Sequence, residues 1–316
     1  MFRELISNHP VYAILTGLIM GFLSLLVLLP LFMYGMKNKL LRPSLDTIFK
    51  PKTSTQIHCD KCNEKFSYSK VTNRKCYACA FCGNQIHPLA NTIFHKSRTS
   101  LKNWFFVIFL FSKSKNGVAA KEIERQLGVT YKCAWRMCKQ IRELMADDIL
   151  SLFGTVEMDE TYVGGKEKNK HYNKKTLHAQ GRSLKAKIPV IGIVQKGGSI
   201  AAKVTTNTSN VAINELLKKY VPVNSEVHTD EYKGYNNVKR LGYIHKKVNH
   251  SKHKFVVKDA HTNTAEGFWS QLKRSVHGTY HAVSPKYLQN YVDEFAFRFN
   301  LRKSEKPIFD CIMERI

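Results

Sequence analysis

Three acidic residues and a lysine in the second half of the chain have types and spacing that suit metal-dependent phosphoryl transfer. Asp159 lies within a strand-like segment, Asp230 ends another, and Glu266 lies near the start of a predicted helix. Hard cations such as Mg²⁺ and Mn²⁺ prefer carboxylate oxygens, and two ions about 4 Å apart can activate an attacking oxygen and stabilise a leaving one. Lys273 follows Glu266 by about two helical turns, which places both side chains on one helix face. The set predicts a catalytic site for two Mg²⁺ or Mn²⁺ ions.

The strand around Asp159 carries further acids. Strand alternation places Glu157 and Asp159 on one face and Glu160 on the other. A buried strand does not carry carboxylates cheaply unless they bind metal or lie at an exposed edge. The segment therefore indicates metal binding, with an exposed strand edge as the alternative.

Two pairs of cysteines predict a separate, structural metal site. Cys59 and Cys62 form the first Cys-x₂-Cys pair, and Cys79 and Cys82 form the second. Four thiolates close a tetrahedron around Zn²⁺ and leave no open position for chemistry. Cys76 is a fifth candidate, because Cys76-x₂-Cys79 has the same spacing. We prefer Cys82 because a phenylalanine and a glycine flank it, as in the tight turn of a zinc knuckle.

The charge of the chain predicts an anionic partner. The chain contains 50 Lys and Arg residues and 24 Asp and Glu residues, which gives a formal net charge of +26. Basic groups that neutralise phosphates release condensed counterions, so nucleic acid is the first expectation and an anionic membrane surface the second. The hydrophobic fraction of 43% excludes wholesale disorder. Clustered cysteines disfavour a disulfide framework and favour a reducing compartment.

Residues 96–150 are predicted to be helical and to contain a helix-turn-helix pattern that hinges at Gly128. A helical hairpin packed on its neighbours is the alternative, because apolar helical periodicity is mostly core. Basic residues of the second helix and of the catalytic half are expected to contact DNA, with a solvated charged surface as the alternative. These predicted DNA-binding residues are Lys132, Arg136, Lys139, Lys246, Lys247 and Arg274.

The N-terminal segment contains an apolar run long enough to span a membrane. Residues 11–36 contain no charged side chain, and as a helix they exceed the roughly 30 Å hydrocarbon core. Basic residues follow directly, which predicts that the rest of the chain lies on the cytoplasmic side. We therefore expect a membrane-spanning segment within residues 1–36 and a basic linker over residues 37–55. A start at Met33 or Met36 would remove the span.

Several motifs together resemble bacterial insertion-sequence transposases of the DDE superfamily, specifically the ISXO-type group with an N-terminal zinc ribbon. The resemblance extends over residues 59–302, although the membrane-like run is not part of the family pattern. Its motifs are Asn91-Thr92-Ile93-Phe94-His95-Lys96-Ser97, Met158-Asp159-Glu160-Thr161-Tyr162-Val163-Gly164-Gly165-Lys166, Thr229-Asp230-Glu231-Tyr232, Asn263-Thr264-Ala265-Glu266-Gly267-Phe268-Trp269-Ser270 and Tyr291-Val292-Asp293-Glu294-Phe295.

The resemblance implies an α/β RNase H-like catalytic domain, a mixed sheet flanked by helices, over residues 151–316. A zinc ribbon over residues 56–95 and the helix-turn-helix-like segment would precede it. Asp159, Asp230 and Glu266 would then be the metal-binding triad, with Lys273 as the accompanying basic residue. Some members of the group use asparagine in the third place, so Asn263 is a weaker candidate there.

The implied activity is metal-dependent cleavage at the 3′ ends of an insertion sequence, followed by strand transfer through in-line phosphoryl displacement. The implied partner is double-stranded DNA, at the element ends and at the target, and a two-ended reaction favours a homodimer. One alternative is an RNase H-like nuclease that cuts without joining. Another is an inactive zinc-ribbon DNA-binding protein that is tethered to a membrane through residues 11–36.

Overall fold

The computed structural model describes residues 57–74, 76–146, 149, 151–165, 169–175, 183–248 and 261–316. The predicted membrane segment and basic linker, residues 1–36 and 37–55, lie outside these ranges. Among the described residues, every helix is too short or too polar to cross a lipid bilayer. The chain divides into two compact units, Met1–Lys96 and Ser97–Ile316.

Short antiparallel strands build the described part of the first unit. A hairpin and a separate three-stranded sheet contain β1 (Ile57–Cys59), β2 (Glu64–Phe66), β3 (Tyr68–Lys70), β4 (Tyr77–Cys79) and β5 (Gln85–Ile86). Each Cys-x₂-Cys pair turns sharply, because Asn63 and Gly83 adopt left-handed backbone angles of φ 58° and φ 70°. Their amides donate back to the carbonyl oxygens of Cys59 and Cys79 at 2.8 Å and 3.0 Å. Both turns therefore bring the cysteines of each pair close together.

The second unit begins with the predicted helical segment. It contains α1 (Leu101–Lys113), α2 (Ala120–Leu127) and α3 (Tyr131–Leu144). Gly128 ends α2 in the left-handed conformation, and the Thr130 hydroxyl caps α3 by accepting from the Cys133 amide. The predicted hinge at Gly128 is thus confirmed.

A mixed five-stranded sheet follows, which contains β6 (Thr155–Val163), β7 (Ile188–Gln195), β8 (Ile200–Val204), β9 (Glu226–Thr229) and β10 (Ile244–Lys247). The strand order is β10-β9-β6-β7-β8. Strand β7 is antiparallel to its neighbours β6 and β8, whereas β9 pairs in parallel with β6 and β10. Each strand lies within one residue, at either end, of a strand-like run that the sequence pattern predicts, namely residues 155–163, 187–195, 200–204, 226–229 and 243–248.

Helices cover both faces of this sheet. One core cluster packs Ile213 and Leu217 of α4 (Asn210–Tyr220) on one face. The other packs Phe268 of α5 (Asn263–Ser275) and Val292 of α6 (Leu288–Asn300) on the opposite face. A π-helical turn, Val276–Tyr280, extends α5, and α7 (Ile308–Met313) lies near the end of the chain. A mixed sheet with helices on both faces fits the predicted RNase H-like domain.

A buried ion pair joins the helical segment to this domain. Arg142 of α3 donates to Glu294 of α6 at 2.8 Å, and the two side chains are 3% and 0% exposed. Arg298 also donates to Glu294, at 2.8 Å, while the rings of Phe111, Tyr280 and Tyr291 surround the Arg142 guanidinium. Burial alone would raise the pKa of Glu294, but the charges of Arg142 and Arg298 outweigh it and lower the pKa. The helical segment is therefore anchored to the catalytic half by paired charges.

Candidate active site

Adjacent strands bring Asp159 and Asp230 together. In the parallel register of β6 and β9, Glu157 pairs with His228, so Asp159 and Asp230 follow two residues further along their segments. Carboxylate oxygens of Asp159, Glu160 and Asp230 lie within 4.8 Å of one another. The Tyr232 amide donates to Asp230 Oδ1 at 2.9 Å and holds that carboxylate at the strand end. This end of the sheet thus concentrates oxygen ligands.

Helix α5 supplies the third predicted acid and the lysine. Asp159 and Glu266 line one cavity of about 750 Å³, and Lys273 lines it from the last turn of the helix. The cavity does not include Asn263 in its lining. The structure therefore places Glu266, rather than Asn263, beside the acids of the sheet.

The charges of this cluster act strongly on Asp159. Burial first, and then the negative charges of Glu160, Asp230 and Glu266, raise the pKa of Asp159 from 3.8 to about 7. Burial lowers the pKa of Lys273, and the charge of Asp159 opposes that shift. A site that accumulates this much negative charge favours a cation.

A tryptophan orients Asp159. Trp269 Nε1 donates to Asp159 Oδ2 at 3.1 Å from one helical turn beyond Glu266. Gly192 lies opposite Asp159 in the β6–β7 register, and a Cβ atom there would lie 2.6 Å from the Trp269 ring. The glycine therefore leaves the space in which the indole reaches Asp159. The sequence pattern did not predict either role, because both depend on a contact between α5 and the sheet.

Comparison with known proteins identifies related sequences from transposable elements. Residues 151–300 match the family model described as ISXO2-like transposase domain. A protein described as an uncharacterized protein in transposable element ISH50, from Halobacterium salinarum, is 24% identical over 272 residues, which cover 82% of this chain and 90% of that protein. The chain is an insertion-sequence transposase of the DDE class. An uncharacterized transposase-like protein of Haemophilus influenzae is 25% identical to the transposase over 97 residues, which cover 31% of this chain and 77% of that protein.

Solved structures show only weak overall likeness to the transposase. A simian T-cell lymphotropic virus intasome in complex with PP2A regulatory subunit B56 gamma matches 56% of this chain and 63% of that chain, with 12% identity and a TM-score of 0.30. A pre-cleavage Mos1 transpososome matches 67% of this chain and 78% of that chain, with 11% identity and a TM-score of 0.26. Neither match bears on the activity of the transposase.

Glu160 lies on the face of β6 that strand alternation predicts. It meets Tyr235, which belongs to the core cluster of Met158, whereas Asp159 meets Trp269 of the opposite cluster. A Glu160 carboxylate oxygen nonetheless lies within 4.8 Å of those of Asp159 and Asp230. Tyr235 donates to Glu160 Oε2 at 2.6 Å. Burial, followed by the charge of Glu160, raises the pKa of this tyrosine well above its usual value.

The predicted DNA-binding residues fall into three groups. Lys132 and Arg136 are exposed on α3, where the neighbouring Lys139 bonds to Glu143. On β10, Lys246 bonds to Glu226 and Lys247 bonds to Asn236, each at 2.8 Å. Arg274 lines the cavity of the acids. Of these groups, only Arg274 joins the catalytic cluster.

Four cysteines of the first unit converge as predicted. The sulfur atoms of Cys59, Cys62, Cys79 and Cys82 lie within 4.8 Å of one another. Cys76 is buried outside this group, and its thiol donates to Gln85 Oε1 at 3.6 Å. The geometry thus favours Cys82 over Cys76 as the fourth thiolate.

Proposed function

We propose that the transposase cleaves DNA at the element ends and joins the new 3′ end to target DNA, and that Asp159, Asp230 and Glu266 would hold the two divalent cations, Mg²⁺ or Mn²⁺, that this reaction needs. The position of Asp159 carries the proposal, because its carboxylate lies within 4.8 Å of that of Asp230 and it lines one cavity with Glu266. Their donor set fits hard cations, because it consists of carboxylate oxygens, and burial followed by the charges of the neighbouring acids raises the pKa of Asp159. Bound there, the ions would activate the attacking oxygen and stabilise the leaving oxygen.

The remaining residues of the cavity position the DNA strand. Lys273 presents a point charge to a phosphate that lies against the acids. Arg274 and His277 line the same cavity further along α5 and its π-helical turn, so they extend this basic face. Trp269 holds Asp159 in one orientation through its indole N–H. A phosphodiester would therefore meet basic groups on one side and the metal-binding acids on the other.

The experiment that tests this function uses duplex oligonucleotides that carry the DNA flanking the gene, with a plasmid as target. With Mg²⁺ or Mn²⁺, the full-length transposase is expected to release a 3′-OH and to produce joined molecules. When Ca²⁺ replaces these ions, no joined molecules are expected. Joining by two ends in one complex would support the proposed homodimer. Cleavage without joined products would instead identify a nuclease, and bound but uncut DNA would identify an inactive DNA-binding protein.

We further propose that Cys59, Cys62, Cys79 and Cys82 hold one structural Zn²⁺. Four thiolates saturate a tetrahedral ion, and a small unit of two- and three-residue strands gains its stability from such a site. Elemental analysis of the purified transposase should find about one zinc per chain. Cys79→Ala should lose that zinc and Cys76→Ala should keep it. Equal zinc loss in both variants would show that the ligand set is wrong.

A further inference from the structure

We propose that Glu157 is a positioning residue that fixes the helix carrying Glu266 to the strand carrying Asp159. The inference rests on the proposed function, since it concerns the spacing of the metal-binding acids. Glu157 is 1% exposed and lies on β6. Its Oε2 accepts from the Thr264 and Ala265 amides at 2.9 Å and 3.1 Å, and its Oε1 accepts from the Thr264 hydroxyl at 2.7 Å.

These bonds replace the local cap of α5. The first amides of a helix have no partner within the helix, and a neighbouring side chain normally accepts from them. Thr262 precedes α5 but makes no cap bond with its side chain. Its hydroxyl instead donates to Glu266 Oε1 at 3.2 Å. The carboxylate of Glu157 therefore caps α5 from a distant strand, where the helix dipole also favours its charge.

The position of Glu157 between the metal-binding acids indicates a role beyond capping α5. Glu157 precedes Asp159 by two positions on the same strand, and the amides that it binds belong to the two residues directly before Glu266. A local Ser or Thr cap could satisfy these amides without burying a carboxylate, which is costly unless fully bonded. His261 Nδ1 lies 3.1 Å from Glu157 Oε1 and adds a further polar neighbour. The contact thus sets the distance between the backbones that carry Asp159 and Glu266.

The test measures Mn²⁺ binding by calorimetry on the full-length, zinc-loaded transposase without DNA, together with the Mg²⁺ concentration that gives half-maximal joining. We expect Glu157→Ala to weaken both by about 10- to 100-fold, as for other groups that orient metal ligands. Glu157→Asp should also weaken both, because its carboxylate keeps the charge but falls one methylene short of α5. Glu157→Gln should stay close to the unmodified protein, since its oxygen can accept from both amides and its NH₂ can donate to Thr264.

A matched control separates positioning from simple stability. Ser209 caps α4 by accepting from the Ala212 amide at 3.4 Å, on a helix that carries none of the acids. Ser209→Ala should lower Tm without changing Mn²⁺ affinity. The inference is overturned if Glu157→Ala and Glu157→Asp also lower Tm without changing the Mn²⁺ affinity. If Glu157→Ala does not fold, the Mn²⁺ affinity of Glu157→Asp alone decides whether the inference stands. Equal Mn²⁺ binding by the unmodified protein and Asp159→Asn would instead overturn the proposed metal site.

Discussion

Asp159→Asn is expected to lower cleavage and joining by at least about a thousandfold while DNA affinity is retained. The substitution removes a charged ligand, and the loss of several kcal/mol of transition-state stabilisation corresponds to a rate effect of this size. Gel-based joining assays and DNA-binding titrations measure the two properties on the same protein. Asp293→Asn is the matched control, because Asp293 is also largely buried but lies outside the cavity.

The same substitution should make the metal-free protein more stable. The pKa of Asp159 is raised from 3.8 to about 7, so between these values the folded state holds a proton that the unfolded state has released. Stability therefore falls as pH rises through that window, and asparagine removes this loss. At pH 8 the Tm of Asp159→Asn should exceed that of the unmodified protein, whereas near pH 4 the difference should shrink. Added Mg²⁺ should stabilise only the unmodified protein. Unchanged joining, or a lower Tm at pH 8, would contradict the assignment of Asp159.

The second large effect concerns the buried charges that anchor α3. Arg142→Met should destabilise the transposase by about 3–5 kcal/mol, because it removes one of the two cations that pair with the buried Glu294 carboxylate. Urea unfolding followed by circular dichroism measures the change. The double variant with Glu294→Leu should recover part of the loss, since an apolar pair leaves no unpaired acid.

Arg136→Met is the control for this prediction. Arg136 lies on the same helix but is exposed, and it donates to Gln140 at 3.2 Å. Its substitution should change stability by no more than about 0.5 kcal/mol. Similar losses in the Arg136 and Arg142 variants would mean that burial of the ion pair does not dominate stability.

Local patterns predicted much of the fold and the central acids. Strand-like runs in the sequence agree with β6 to β10, and the strand ends and helix start predicted that Asp159, Asp230 and Glu266 lie near one another. The cysteine spacing likewise identified four thiolates that converge. These features are local, because they depend on residues close together in the chain.

Contacts between distant segments could not be predicted in this way. Glu157 bonds to residues more than 100 positions away, and Trp269 reaches Asp159 only because Gly192 leaves space. The carboxylate of Glu160 lies near those of Asp159 and Asp230 although its side chain leaves β6 on the opposite face. No periodic pattern records these relations, since each arises from the packing of one element on another.

The anchoring of α3 by Arg142 has a consequence for the distance between the DNA sequence that the enzyme binds and the bond that it cuts. An ion pair this deeply buried cannot separate without a large free-energy cost, so α3 and the sheet must move as one body. A duplex held along the exposed side of α3 would then meet the acids at one constant separation. Adding about five base pairs between the bound sequence and the cut would turn the scissile bond to the far side of the double helix. The element ends would therefore have to keep a fixed length between recognition and cleavage.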